Sequence, residues 1–194
     1  CSVVEYLLDL HDAKLDINAQ NHKAETPLML ACRFGHSRVA KLLLSHGCDV
    51  QAETARGLAR TSLHRACQYG HLEVASALLD HEMGISEGHP RLLNHQNEDG
   101  FTPLMLAVLN NHSEIILFLL QRSADTSISN KRGESALYIA ASSGNQAALK
   151  VLLDGRGADA NQQDGCGYTP LMAACKNGHE ATVRLLLKAG AALD

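Results

Sequence analysis

Between His81 and His95 the chain reads HEMGISEGHPRLLNH, which puts His81, His89, His95, Glu82 and Glu87 within fifteen residues. Imidazoles and carboxylates are zinc ligands and general acids or bases. Either chemistry needs a scaffold that fixes several of them at once. Gly84, Gly88 and Pro90 punctuate the stretch and make it read as loop, where nothing fixes the geometry. A second candidate pair is His64 with Cys67, three residues apart and so on one face of a helix. Cys32 and Cys175 occupy the same relative place as Cys67 without a partner histidine, which favours a small buried side chain over a ligand. No HExxH, no phosphate-cradling glycine loop and no Ser/His/Asp arrangement is present. GRGAD at 155–159 closes a helix; it does not open one after a strand. The residues therefore predict no catalytic group, no bound metal, no cofactor and no enzyme activity of their own.

The elements that position these residues follow from an internal period. TPLMLAC begins at Thr26, TSLHRAC at Thr61, TPLMLAV at Thr102, SALYIAA at Ser135 and TPLMAAC at Thr169, spaced by 35, 41, 33 and 34 residues. Each copy continues through a short turn (FGH, YGH, NNH, SGN, NGH) to a Leu-Leu pair, and most close with a GAD-like triplet. The chemistry of one unit is readable. Thr26, Thr61, Thr102, Ser135 and Thr169 can cap a helix start through the side-chain oxygen. Pro27, Pro103 and Pro170 follow where a missing N–H costs nothing. In the first full copy Leu28, Ala31 and Cys32 give an inner apolar face, Gly35-His36 breaks the helix, and Val39, Leu42 and Leu43 line a second one. Gly47 or Gly157 is expected to end the second helix in the left-handed conformation, with Ser123 taking that place once.

The pattern T-P-L-x-x-A, G-H, L-L, G-A-D at about 33 residues resembles the ankyrin-repeat signature. The resemblance covers nearly the whole chain. It implies an all-α fold: a solenoid of stacked helix-turn-helix units with projecting β-hairpin fingers. The expected organisation is a single domain over 1–194. A partial repeat at 1–20 is followed by full repeats at 21–53, 54–96, 97–129, 130–163 and 164–194. VVEYLLDL at 3–10 reads as a second helix without its first, and the last repeat carries no polar capping face, so the chain is expected to be cut from a longer array. Where the family usually has His after T-P-L, the chain has Met29, Met105, Tyr138 and Met172, and only His64 keeps it. Apolar packing is expected to replace the hydrogen bonds associated with that histidine.

Composition narrows the partner. The net charge is −4 and the pI about 6.3, against a nucleic-acid partner, which needs a basic footprint. No apolar run approaches the ~18–20 residues that span a bilayer, and no charged-then-apolar leader is visible. Six cysteines without a paired spacing predict free thiols and a reducing compartment, cytoplasmic or nuclear. The reading is a monomeric, non-catalytic scaffold that binds an extended peptide or a protein carrying acidic and apolar residues. The alternative is a substrate-recruiting or regulatory region of a larger enzyme, channel or effector.

The resemblance also implies where contact occurs: finger tips, the residue before the capping Thr, and the pair before the turn. These are Lys23, Arg56, Asp99, Arg132 and Cys166; Glu25, Arg60, Phe101, Glu134 and Tyr168; and Arg33-Phe34, Gln68-Tyr69, Leu109-Asn110, Ser142-Ser143 and Lys176-Asn177. Of seven aromatic side chains, Phe34, Tyr69, Phe101 and Tyr168 fall at these positions, a bias that core packing does not predict. Aromatics at such places are the usual anchors of an interface. The basic residues Lys23, Arg33, Arg56 and Arg60 cluster in the first two full repeats, against Glu25. Arg65 stands in a slot that is otherwise apolar and is expected either to snorkel outward or to pair with Glu73 or with a partner. Asn161 and Asn18 follow Leu153 and Leu10 by eight residues, a spacing that by resemblance suits asparagine hydroxylation. Counting within the repeat turns the opening stretch into an eight-residue insertion near 82–91. It runs fifteen positions from Leu79 to Asn94, where the first full repeat needs seven from Leu44 to Gln51.

Overall fold

The computed structural model describes residues 16–54, 60–85, 91–155 and 157–192. Among these are ten α-helices: α1 (Pro27–Phe34), α2 (Ser37–Ser45), α3 (Ser62–Tyr69), α4 (Leu72–Ile85), α5 (Pro103–Leu109), α6 (Ser113–Gln121), α7 (Ala136–Ser142), α8 (Gln146–Asp154), α9 (Pro170–Lys176) and α10 (Glu180–Lys188). The described residues contain no regular strand, only one isolated antiparallel bridge, Ser129 with Ser135. The chain gathers into two compact units, 1–93 with α1 to α4 and 94–194 with α5 to α10.

The expected caps form. The hydroxyls of Thr26, Thr102, Ser135 and Thr169 accept the N–H three residues on at 3.2–3.3 Å, and Thr61 does so at 3.5 Å. At Thr61 the cap is reciprocal, because His64 Nδ1 accepts the Thr61 N–H at 3.2 Å. His64 is therefore a buried capping residue, and no group of three or more His, Cys, Asp or Glu that could hold a metal occurs among the described residues. Met29 and Met105 are 1 % exposed, as apolar replacement of histidine requires, whereas Met172 is 40 % exposed.

The Gly-His turns pack neighbouring helix pairs together. In the first unit His71 Nε2 donates to the Arg33 carbonyl at 3.0 Å, and its ring fills the space beside Gly35, where a Cβ would fall 2.5 Å from His71 Nδ1. In the second unit His179 repeats this with the Ser142 carbonyl at 3.0 Å, beside Gly144. Asn145 stands in for the histidine once, its amide reaching the Val108 carbonyl at 3.3 Å. These half-buried donors select one register between helix pairs, while Leu28, Leu63 and Leu78 in one unit and Leu104, Ile116, Leu137 and Leu152 in the other supply the bulk of the burial. Each such side chain contributes about 1.5–3 kcal/mol.

Two loops depart from expectation. Ser123 does adopt the left-handed conformation at φ 65°, and so does Gly47 at 74°. At the foot of α8, however, the helix ends at Asp154 with Gly155 extended (φ −74°, ψ 156°), and the left-handed Gly157 comes only afterwards. The single inserted residue separates the helix stop from the left-handed glycine. The insertion near 82–91 is not all loop either, because α4 runs on to Ile85. Glu82 sits where other repeats place the helix-ending glycine. Its carboxylate is 1 % exposed and accepts the N–H groups of Arg91 at 2.8 Å and Leu92 at 3.2 Å. Considered above as a metal ligand, Glu82 instead clasps the returning chain. His89 and Glu87 lie outside the described residues.

Candidate functional site

The fingers are built on an Asx turn. In the first, Asn21 Oδ1 accepts the N–H groups of Lys23 at 2.9 Å and Glu25 at 3.0 Å. Asn97, Asn130 and Asp164 do the same for Asp99 and Phe101, Arg132 and Glu134, and Cys166 and Tyr168. The residue before the closing position is left-handed in each: Gly100, Gly133 and Gly167, but Ala24 at φ 54° in the first. In the second unit the tips are tied in series, the Lys131 N–H to the Asp99 carbonyl at 3.0 Å and the Gly165 N–H to the Arg132 carbonyl at 2.8 Å. Asp99, Arg132 and Cys166 are thus exposed on a fixed frame. Arg56 lies outside the described residues.

In the first unit the structure brings three expected residues together. The Arg33 guanidinium lies 5.4 Å from the Phe34 ring centroid and 5.7 Å from that of Tyr69. Phe34 is 60 % exposed and Tyr69 39 %. Cation–π attraction of this kind, about 0.5–1 kcal/mol at an exposed site, holds the rings in place before any partner arrives. Gln68 accepts from Arg60 Nη1 at 3.2 Å, and Lys23 is exposed.

Glu25 is a correction. Expected on the contact surface, it is 4 % exposed, with Arg65 Nη2 3.0 Å and Arg33 Nη1 3.5 Å from its Oε1 and the Asn21 amide 3.1 Å from its Oε2. Arg65 neither snorkels nor pairs with Glu73: it is 6 % exposed and spends its charge on Glu25. The two form a buried base under the Arg33–Phe34–Tyr69 surface. The pairing was hard to find in the sequence because forty residues separate the partners. The signal was there, since a buried arginine in an apolar slot requires a buried acid.

In the second unit Leu109 is 52 % exposed, Phe101 is half-buried, and Asn110 turns its amide onto the Leu106 carbonyl at 2.8 Å. Arg132 and Glu134 pair at 2.8 Å. Tyr168, 40 % exposed, carries the Lys176 ammonium 5.1 Å from its ring centroid. Tyr138 departs from the apolar packing expected at the histidine slots. It occupies the histidine slot of its repeat and hydrogen-bonds the Asp164 carboxylate. Burial, that bond and the negative charges of Asp164 and Glu134 push its phenol up to about 12. Burial raises Asp164 too. The N–H groups of Tyr168 and Cys166, the Tyr138 hydroxyl and Lys176 outweigh it, and the carboxyl is held below its usual range.

The two candidate hydroxylation asparagines point their amide oxygens at backbone. Asn18 accepts the Asp49 N–H and Asn161 the Ala192 N–H, both at 2.8 Å. Leu10 lies outside the described residues. Cys32 and Cys67 are fully buried, and burial pushes both thiols up; Cys48 rises to about 11 for the same reason. They behave as small core residues.

Helix pairs capped by Thr or Ser, joined by a Gly-His turn and carrying Asx-turn fingers define a helical-repeat binding module. A family model described as ankyrin repeats (3 copies) matches residues 1–88, 53–130 and 123–194, and the chain belongs to the ankyrin-repeat family. It is 49% identical over 57 residues, 29% of this chain and 12% of the relative, to NAD-capped RNA hydrolase NUDT12 of Homo sapiens. It is 45% identical over 53 residues, 27% of this chain and 17% of the relative, to human Ankyrin repeat family A protein 2. Probable E3 ubiquitin-protein ligase XBOS32 of Oryza sativa is 28% identical over 136 residues, 59% of this chain and 27% of that protein. The chain thus spans about a quarter or less of the length of these relatives. No helix among the described residues is long and apolar enough to cross a membrane.

Proposed function

We propose that the chain is a non-catalytic interaction module that holds a protein or an extended peptide against its fingers and first helices. The observation that carries this is the Arg33–Phe34–Tyr69 surface: two exposed rings flanking one guanidinium, on a buried ion pair. Exposed aromatic surface costs solvation and is retained where a partner covers it. Arg33, with the exposed Lys23 nearby in sequence, favours carboxylates in the partner beside its apolar anchors. In the second unit Phe101, Leu109, Tyr168 and the finger tips Asp99 and Arg132 offer further contact positions.

The test compares proteins captured from cell extract by the wild type and by Phe34→Ala/Tyr69→Ala. The proposal expects the double variant to lose specifically retained protein while keeping its melting temperature. Retention of the same proteins in the same amounts would dismiss it.

A second reading has the module recruiting or regulating within a larger protein. The matched stretches of the relatives are fractions of longer chains, one of them named as a hydrolase, which favours it. Nothing in the first reading conflicts with this.

A further inference from the structure

In the second unit α9 and α10 join α7 and α8 through three kinds of contact. The first is at the turn, where the His179 ring fills the space beside Gly144 and donates to the Ser142 carbonyl at 3.0 Å. The second ties the fingers: the Gly165 N–H reaches the Arg132 carbonyl at 2.8 Å, and the backbone of Asp164 and Gly165 closes over Gly133. The third is apolar cover of the first helix, which leaves Ala141 0 % exposed. Cys32, Cys67 and Val108, at the same place in their own helices, are covered equally.

The side of α9 and α10 that faces away from α7 and α8 repeats this joint feature by feature, but exposed. Gly178 is left-handed at φ 73°, as Gly144 is at 70°, and a Cβ on it would meet no atom within 4 Å. The same holds at Gly167, the counterpart of Gly133. The Lys176 and Cys166 carbonyls stand where those of Ser142 and Arg132 stand, and neither accepts from a described residue. Cys175, in the slot of Ala141, is exposed. Met172 is 40 % exposed where Met29 and Met105 are 1 %, and Leu187 is 43 % exposed where Leu44 is 4 %. Apolar exposure alone would suit many partners. A left-handed glycine beside one carbonyl, with a finger glycine beside another, repeats a joint whose occupant is visible one step earlier in the same unit.

We propose that this side stacks a further helix pair of the same build, one with a histidine at its turn and an Asx-turn finger. The imidazole enters beside Gly178 and donates to the Lys176 carbonyl. The finger lays an N–H on the Cys166 carbonyl. The new first helix covers Met172 and Cys175, and the new second helix covers Leu187. In a repeat array each unit is stabilised by the neighbour it touches, so the α9–α10 pair gains stability and the row of fingers gains one member. The Arg33–Phe34–Tyr69 surface takes no part, and the two proposals fail separately.

The test appends a copy of residues 162–194 after Asp194, which keeps the finger, cap and turn in register. The copy carries Cys166→Ser and Cys175→Ser, so that alkylation by iodoacetamide reports on the original Cys175, read by mass spectrometry. Alkylation there should slow at least tenfold relative to the unextended chain, and the urea midpoint should rise. His179→Ala in the copy alone should restore at least a third of the original rate. Met172→Glu/Leu187→Glu in the original unit, two exposed changes that leave the melting temperature of the unextended chain in place, should restore the rate in full. The proposal is overturned if Cys175 reacts undiminished in the extended chain, or if the glutamate pair leaves it protected. An appended copy that adds no helical circular dichroism overturns it as well. So does protection of Cys175 in the unextended chain on concentration, which would make a second copy of the chain the occupant.

Discussion

Arg65 stands where the other repeats carry Leu30, Leu106, Ile139 and Ala173, and its charge survives burial only because Glu25 meets it at 3.0 Å. Removing one member leaves the other charged and dry. Glu25→Ala should therefore destabilise the first unit by roughly 3–5 kcal/mol. Replacing both, with Arg65→Leu and Glu25→Met, should recover most of that loss, as measured by urea unfolding. Equal losses in the single and the double variant would show that the pair is not the cause. Tyr138 gives a second residue-scale test. Its phenol should titrate near 12 in an ultraviolet pH titration, and Asp164→Asn should lower it only in part, because burial, the larger cause, remains. A folded pKa raised above the unfolded value stabilises the fold fully below about 10, and that stability is lost as pH rises through 12. The sequence made the aromatic and basic residues legible by position alone. It did not show which of them cancel one another, because Glu25 and Arg65 come from different repeats.

At the scale of the element, the five cap positions, the Pro starts and the Gly-His breaks were all readable, because each is a local backbone requirement. The irregular joints were legible only as counts. An extra eight residues after Leu79 said that something was inserted, not that Glu82 would prolong α4 and clasp Arg91 and Leu92. One more residue after Leu153 likewise said nothing of how α8 would end. The left-handed turn positions divide into two kinds that a paired substitution separates. Gly144 is left-handed at φ 70° and a Cβ there would sit 2.8 Å from His179 Nδ1, so Gly144→Ala bears both a backbone penalty and a displaced ring. It should cost more than the ~1–2 kcal/mol of a left-handed alanine alone. Ser123, at φ 65°, runs the other way: Ser123→Gly should stabilise by up to about 1 kcal/mol. Thermal melts of the two variants should move in opposite directions.

For the whole molecule, the fold class follows from the period, since five copies of one capped helix pair leave little freedom. Function is less constrained, because the same scaffold accepts many partners and the fold alone does not choose one. What distinguishes this chain is the placement of its few aromatics. Phe34 and Tyr69 remain exposed with Arg33 between them, while the core is filled by Leu, Met, Ala, Ile and Cys. The most direct measurement is calorimetric. A peptide selected on the wild type from a random library is titrated into wild type and into Phe34→Ala/Tyr69→Ala, with melting temperatures recorded alongside. The account predicts a loss of more than about 2 kcal/mol, roughly thirtyfold in Kd, with the melting temperature nearly unchanged. Undiminished affinity in a folded double variant would contradict it.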